Sequence, residues 1–282
     1  MKFIEYINAV LSNTGKFKDY KRITHIGERI KNRNVYKYMD IDTAINYCLR
    51  VNHNSIQFVQ PTQWPDKYEE RFYNASYSNI LRKKEDKIEK TPRLYACCFT
   101  IASTSEAAWN TYSYNKTGRG SQCVQFKINM KKLRIALNEY AGDYYDVYEG
   151  PVFYKPDYAI TNLHFKTTAD GNPSLAYQAC FWAFNRIKYL ALLLLKRDAF
   201  EYEKEVRFFL VPKDQNRVQD KIYPEIPYAD IVEGVKVSDD CPAVYRDDLR
   251  AALDANEMTD IDIEGFDLYK KKAPRIIIGD KR

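Results

Sequence analysis

The residues best suited to chemistry are Glu203, Glu205 and Arg207, which occupy alternate positions just before an apolar run. On a β-strand, every second side chain points to the same face, so this spacing predicts two carboxylates and a guanidinium side by side. Carboxylates on one face repel each other unless a cation, water or a ligand lies between them. The segment is therefore either a functional site or a structural ion-pair ladder.

Composition describes an ordinary globular chain with many aromatic residues. Of its 282 residues, 45% are apolar and 29% are charged, which is typical of soluble domains. The 24 Tyr and 14 Phe suit half-buried strands and stacking surfaces. The net charge of +6 is too small to indicate a nucleic-acid partner by itself, although basic runs such as Arg82-Lys83-Lys84 could contact phosphate.

Cysteine and histidine usage argues against a metal centre. The six cysteines form no CxxC pair and the three histidines are scattered, so we predict no metal site built on these residues. Glu5 interrupts the apolar stretch that a signal peptide would need. The longest apolar passage, 177–195, contains Arg186 and Lys188 and indicates a buried helix, not a membrane span. We expect a cytoplasmic protein with reduced thiols and no membrane partner.

The periodicity of apolar residues predicts one mixed α+β domain over 35–282, preceded by a helical appendage and basic connector over 1–34. Residues 69–90 are polar and predict a solvated helix or an excursion. Alternating or compact apolar runs predict strands at 35–38, 55–59, 94–99, 123–128, 146–154, 231–237 and 259–263. Helical spacing and capping signals predict helices at 107–114, 130–140, 174–195 and 245–255.

Several motifs occur in a fixed order along the chain. They are Tyr36-Lys37-Tyr38, Trp64 to Glu69, Cys97-Cys98-Phe99-Thr100, Trp109 to Tyr112, and Lys196 with Phe200 and the Glu203 to Arg207 segment. From about Val35 to Ile263, this order resembles the bacterial family catalogued as domain of unknown function 2971. The chain departs from that family by lacking the Asn and Pro of its Asn-Asp-Pro-Phe-Glu run and by carrying Phe200 and Val206 where the family prefers Trp and an aromatic residue.

More distantly, the chain resembles the ADP-ribosyltransferase architecture, through a first strand with a polar residue between tyrosines and a late Glu-x-Glu segment. The resemblance implies mixed, largely antiparallel sheets that form a cleft, with NAD bound as a substrate. It implies that Glu205 holds a ribose hydroxyl and stabilises positive charge at the ribose, and that Glu203 orients the acceptor or takes its proton. The residues implied to bind NAD are Tyr36, Lys37, Tyr68, Thr100, Trp109, Tyr112 and Arg207.

The function that follows from the resemblance is an ADP-ribosyltransferase toxin or anti-phage effector. Its acceptor would be nucleic acid, RNA in preference to DNA, or protein, and an antitoxin or chaperone-like partner would restrain it. Two alternatives stay open: a non-catalytic sensor of a ligand or nucleic acid, and a Mg²⁺-dependent nuclease using Asp66, Glu69, Glu203 and Glu205. Structural roles also stay open for Lys37 at a strand edge and for Trp109 and Tyr112 in packing.

Overall fold

The computed structural model describes the greater part of the predicted domain. The described residues are 34–50, 55–64, 69, 76–79, 84–87, 93–113, 122–157, 190, 193–216, 219–239 and 241–266. The predicted N-terminal appendage, and most of the helix predicted over 174–195, lie outside these ranges.

Strands dominate the described part of the chain. Their bounds are β1 Asn34–Asp40, β2 Phe58–Val59, β3 Ser76–Asn79, β4 Lys84–Lys87, β5 Tyr95–Thr100, β6 Cys123–Asn129, β7 Tyr145–Pro151, β8 Phe153–Lys155, β9 Leu195–Arg197, β10 Glu205–Pro212, β11 Lys221–Ile222, β12 Val232–Ser238 and β13 Ile263–Phe266. Nine of the described strands form one sheet; β3 pairs with β4, and β8 with β9, as separate two-stranded sheets. Pairing in the large sheet is antiparallel except between β12 and β13.

The large sheet divides into two parts where β1 meets β5. These two described strands pair at one position, Tyr36 opposite Thr100. On one side of this junction β1 continues through β6 and β12 to β13, and on the other β5 pairs with β10 and β2. Because β1 and β5 pair at this one position, the two strand groups diverge from each other on leaving it. Side chains at this junction therefore lie at the point where the two strand groups separate.

Helices cover both faces of the sheet. Their bounds are α1 Ile41–Thr43, continued as a π-helical turn over Ala44–Cys48, α2 Glu106–Ser113, α3 Met130–Ala141, α4 Tyr228–Ile231 and α5 Ala243–Asp254. The Asp40 side chain caps α1 by accepting from the backbone N–H of Thr43 at 2.7 Å. Asn129 caps α3 in the same way through the N–H groups of Lys131 and Lys132.

The main core lies on the face of the sheet that carries the apolar side of β10. Val206, Phe208 and Leu210 are buried there, together with Phe126 of β6 and Leu133 of α3. A smaller cluster on the other face joins Tyr38 and Cys123 to Trp109 of α2. The alternation of buried residues along β10 therefore assigns Glu205 and Arg207 to the face opposite the main core.

The predicted α+β class with largely antiparallel sheets is confirmed. The polar segment 69–90 was predicted as a solvated helix or an excursion. Of its described residues Glu69 is helical, but β3 and β4 form an antiparallel pair, so the helix prediction is wrong for these two stretches. The strand predicted near residue 259 begins later, at Ile263. No helix in the described ranges is long and apolar enough to cross a membrane.

Candidate active site

The Glu203 to Arg207 segment is not one continuous strand. Residues Asp198–Glu203 form a 3-10 helix, and Lys204 follows with φ +46° and ψ +50°, a left-handed conformation that few non-glycine residues adopt. The strand β10 begins only at Glu205. The prediction that Glu203 alternates with Glu205 on a strand is therefore wrong: a turn, not the pleat of a strand, brings the two carboxylates together.

Five charged side chains meet at the start of β10 and form what we call the charged cluster: Glu69, Lys196, Glu203, Glu205 and Arg207. The guanidinium of Arg207 pairs with Glu205 at 2.6 Å and with Glu69 at 2.8 Å. The ammonium of Lys196 lies 2.6 Å from Glu203, 3.2 Å from Glu69 and 3.5 Å from Glu205. With all five groups ionised, three carboxylates face two cations and the cluster carries one excess negative charge.

Arg207 is the most enclosed member of the charged cluster. Its side chain is 1% exposed, and Nη1 donates to the backbone carbonyl of Leu193 at 2.5 Å. Its guanidinium carbon lies 4.4 Å from the centre of the Trp64 ring, within cation–π range. Because ion pairs, a backbone carbonyl and an aromatic ring surround Arg207, its observed contacts orient Glu205 and Glu69.

The two neighbouring carboxylates have opposite pKa shifts. Burial alone would raise the pKa of Glu205, but the adjacent Arg207 and Lys196 outweigh it and hold the pKa below its ordinary value. For Glu203, burial and then repulsion from Glu205 raise the pKa, despite the contact with Lys196. Paired carboxylates with diverging pKa values are the usual arrangement for an ionised stabiliser beside a proton-transfer group.

The small sheet of β8 and β9 holds two groups against Glu205. Tyr154 pairs with Lys196 in this parallel sheet, so both side chains project from the same face. The hydroxyl of Tyr154 accepts a hydrogen bond from the backbone N–H of Glu205 at 2.9 Å. Burial raises the pKa of Tyr154 well above that of a free tyrosine, so the hydroxyl stays protonated at neutral pH.

Glu205 lies next to two other predicted site residues across the strand junction. It is directly opposite Thr100 of β5, and Thr100 is opposite Tyr36 of β1. Because directly paired residues of antiparallel strands project from the same face, the side chains of Tyr36, Thr100 and Glu205 form one row. The hydroxyl oxygen of Thr100 also accepts from the N–H of Ala102 at 3.0 Å. The structure thus brings these three together with Glu203 and Arg207.

Lys37 is not brought to this row. Its neighbour Tyr36 projects from the same face of the sheet as Glu205, so the strand alternation directs Lys37 to the opposite face. There the ammonium donates to the carbonyl of Cys98 at 2.8 Å and lies over the ring of Phe99. Lys37 bridges the two diverging strands from the core side, a structural role that the sequence left open.

Trp109 occupies a packing position. It is 2% exposed, stacks on Phe266 with ring centres 5.1 Å apart and meets the edge of Tyr38 at 5.5 Å. Its indole N–H has no acceptor among the described residues. The predicted role in stacking nicotinamide conflicts with this enclosure. Tyr68 lies outside the described residues, and of Tyr112 the backbone in α2 is described but not the side chain.

A lysine lies where the nuclease alternative would require Mg²⁺. Lys196 contacts Glu69, Glu203 and Glu205, three of the four carboxylates proposed as metal ligands, and Asp66 lies outside the described residues. Within the described ranges, no group of three or more His, Cys, Asp or Glu side chains is arranged to hold a metal ion. These carboxylates therefore neutralise side-chain cations in the observed arrangement.

Comparison with known proteins gives weak structural similarities only. No family model and no curated protein matches the chain, so the resemblance to domain of unknown function 2971 rests on the quoted motifs. A solved structure of Thermus sp. 2.9 DarT in complex with ADP-ribosylated ssDNA aligns with 83% of this chain and 93% of its own, at 12% identity and a TM-score of 0.35. Another, of the same protein with carba-NAD+, covers 83% and 94% at 11% identity and a TM-score of 0.33. Both scores are low, so no residue role is transferred from DarT to this chain.

Sequence reasoning missed three members of the site. Lys196 and Trp64 belong to the quoted motifs but received no role, and Tyr154 was assigned only to a predicted strand. Lys196 is buried, with 8% of its side chain exposed, and a buried lysine requires compensating acids. The sequence did contain a signal for the role of Lys196: this lysine directly follows an apolar run and precedes Glu203 by seven residues.

Proposed function

We propose that this protein is an NAD-dependent ADP-ribosyltransferase that uses the charged cluster as its active site. The observation that carries the proposal is that the charged cluster, counted over the described residues, pairs three carboxylates with two cations where the two strand groups diverge. When its three carboxylates are ionised, this enclosed site has an excess negative charge, which favours a ligand or transition state that is positively charged. The nicotinamide ring of NAD and the sugar from which it departs both meet this description.

The proposed reaction begins with cleavage of the bond between nicotinamide and ribose. The electron pair of that bond leaves with nicotinamide, and oxocarbenium character develops at the sugar. Glu205 is suited to stabilise this charge, because Arg207 and Lys196 keep its carboxylate ionised. The hydrogen bond from its backbone N–H to Tyr154 fixes the start of β10, so the carboxylate needs little reorganisation as charge develops.

The acceptor then attacks the sugar carbon and loses a proton. Glu203 is suited to take this proton, because its raised pKa brings it nearer to the operating pH than that of an ordinary carboxylate. Its side chain is 26% exposed, against 12% for Glu205, so it is the more accessible of the two to an incoming acceptor. The products are nicotinamide, the ADP-ribosylated acceptor and one proton.

We further propose that the acceptor is nucleic acid or protein. The protein would then act as a toxin or anti-phage effector. In cells, induced expression should then slow growth, and Glu205→Gln should relieve the effect at equal protein levels. An antitoxin or chaperone-like partner would accompany such an activity. We propose the helical appendage and basic connector predicted over 1–34 as the docking element for that partner.

The decisive assay supplies NAD labelled in its adenylate half together with RNA, single-stranded DNA or a protein mixture. The proposal predicts label on one acceptor class and release of an equal amount of nicotinamide. Glu205→Gln should abolish both. The matched control is Glu149→Gln, because Glu149 is also a buried carboxylate paired with an arginine, Arg134 at 2.6 Å, but on the opposite face. Intact NAD and unlabelled acceptors in all three mixtures would exclude the proposal.

A further inference from the structure

The row that contains Glu205 extends across the junction to a lysine. Tyr36 is opposite Thr100 on one side and opposite Lys127 of β6 on the other. Lys127, Tyr36, Thr100 and Glu205 therefore project from one face of four adjacent strands. With strands about 4.8 Å apart, three steps separate the Cα atoms of Lys127 and Glu205 by about 14 Å.

Lys127 has no ionic partner among the described residues. Its side chain is half-buried beside Gly234 of β12, where a Cβ atom would lie 3.6 Å from the Lys127 Cδ. Glu233, the acid at the bulge of that strand, accepts a hydrogen bond from Asn129 at 2.5 Å. Lys127 therefore offers a positive charge without an ionic partner in the described part of the chain, on the face of the sheet that carries Glu205.

We propose that Lys127 binds the diphosphate of a dinucleotide that lies across the strands, with one ribose at Glu205. This inference rests on the proposed function and names the residue that holds the negatively charged half of NAD. The negative cluster lies at one end of the row, and Lys127, which has no ionic partner among the residues that the structure describes, lies at the other. These charges match the two ends of the ligand, a cationic nicotinamide and an anionic diphosphate. Both side chains are long, so leaning along the row shortens the 14 Å separation.

Three other described cations near the site are already engaged. Arg207 and Lys196 neutralise the charged cluster, and Lys37 donates to Cys98 on the opposite face. A diphosphate near Glu205 would meet repulsion from the excess carboxylate unless it were displaced along the row. Lys127 lies in the direction of that displacement, beyond Tyr36 and Thr100.

The test measures ligand affinity, not turnover. Isothermal titration calorimetry of the full chain and of Lys127→Gln uses ADP-ribose, which contains the diphosphate, and nicotinamide riboside, which contains no phosphate. Loss of one charge-assisted hydrogen bond predicts roughly ten- to hundredfold weaker ADP-ribose binding. Nicotinamide riboside binding should be unchanged. Lys127→Arg should retain most of the affinity, and Lys131→Gln, at an exposed lysine of α3, should bind ADP-ribose like the parent.

The outcomes separate this inference from the proposed function. Equal ADP-ribose affinity in the parent and in folded Lys127→Gln would overturn the inference alone. Weaker binding of a single-stranded oligonucleotide with unchanged ADP-ribose affinity would also overturn it, because Lys127 would then serve the acceptor. A parent that binds neither ADP-ribose nor NAD would overturn both. Lysine-dependent ADP-ribose binding without nicotinamide release would leave the inference standing and remove the proposed function.

Discussion

Replacing Arg207 with methionine tests whether the charged cluster is held together as described. The guanidinium pairs with Glu205 and Glu69 and is almost fully enclosed. Methionine retains much of the apolar volume but none of the charge, so the two carboxylates would share only Lys196. Removing one partner of a buried ion pair costs about 3–5 kcal/mol. Since a domain is stabilised by about 5–15 kcal/mol, the loss should be large in any unfolding experiment.

Urea unfolding at pH 7, followed by circular dichroism, measures the change. A matched control is Lys236→Met, because Lys236 pairs with Glu264 at the surface, where both side chains are at least one-third exposed. An exposed pair contributes about 0–1 kcal/mol, so this variant should unfold close to the parent. Adding Glu205→Gln to Arg207→Met removes one orphaned carboxylate and should restore part of the loss, with a coupling energy of about 1–3 kcal/mol.

The destabilisation caused by Arg207→Met should depend on pH. The parent holds the pKa of Glu205 low, so this carboxylate stabilises the fold above its unfolded pKa and loses that effect as the pH falls through the folded pKa. Without Arg207 the stabilisation is lost, and the difference between variant and parent should shrink in acid. A loss under about 0.5 kcal/mol at pH 7, or additive effects of the two substitutions, would refute the account of the charged cluster.

Three further predictions concern Glu203, Tyr154 and Trp109. Because the folded pKa of Glu203 is raised, stability should fall as the pH rises from the unfolded to the folded pKa; Glu203→Gln should flatten this fall in urea unfolding. Tyr154→Phe leaves the Glu205 N–H without its partner and should lower kcat for NAD cleavage more than it changes KM. Trp109→Phe should lower the thermal midpoint but leave NAD affinity unchanged in calorimetry, whereas a stacking role would weaken binding.

Individual strands and helices of this fold could be predicted from the sequence, because the signals that indicate them are local. Apolar runs marked β1, β6 and β10, a capping-box signature marked α2, and amphipathic spacing marked α3. Pairing between strands is set by contacts between distant segments, and the divergence of β1 from β5 has no local signature. The hairpin of β3 and β4 was missed because its residues are polar and resemble a solvated helix.

The candidate site was predicted in part for the same reason. The structure places Glu205, Thr100 and Tyr36 in one row, whereas strand alternation directs Lys37, which was grouped with them, to the other face. The left-handed Lys204 could not be foreseen, because non-glycine residues rarely adopt that conformation. Because of this turn the strand begins at Glu205, two residues later than the sequence suggested, and Glu203 lies against Lys196.

The measurement closest to the central claim is the release of nicotinamide from NAD by the purified full chain, compared with Glu205→Gln and with the control Glu149→Gln. If the charged cluster is the active site, the parent and the Glu149 variant release nicotinamide, and folded Glu205→Gln releases at least a hundredfold less, as expected when a group that stabilises transition-state charge is removed. Equal release by the parent and folded Glu205→Gln would contradict the account and leave the five charged residues as a structural ion-pair network.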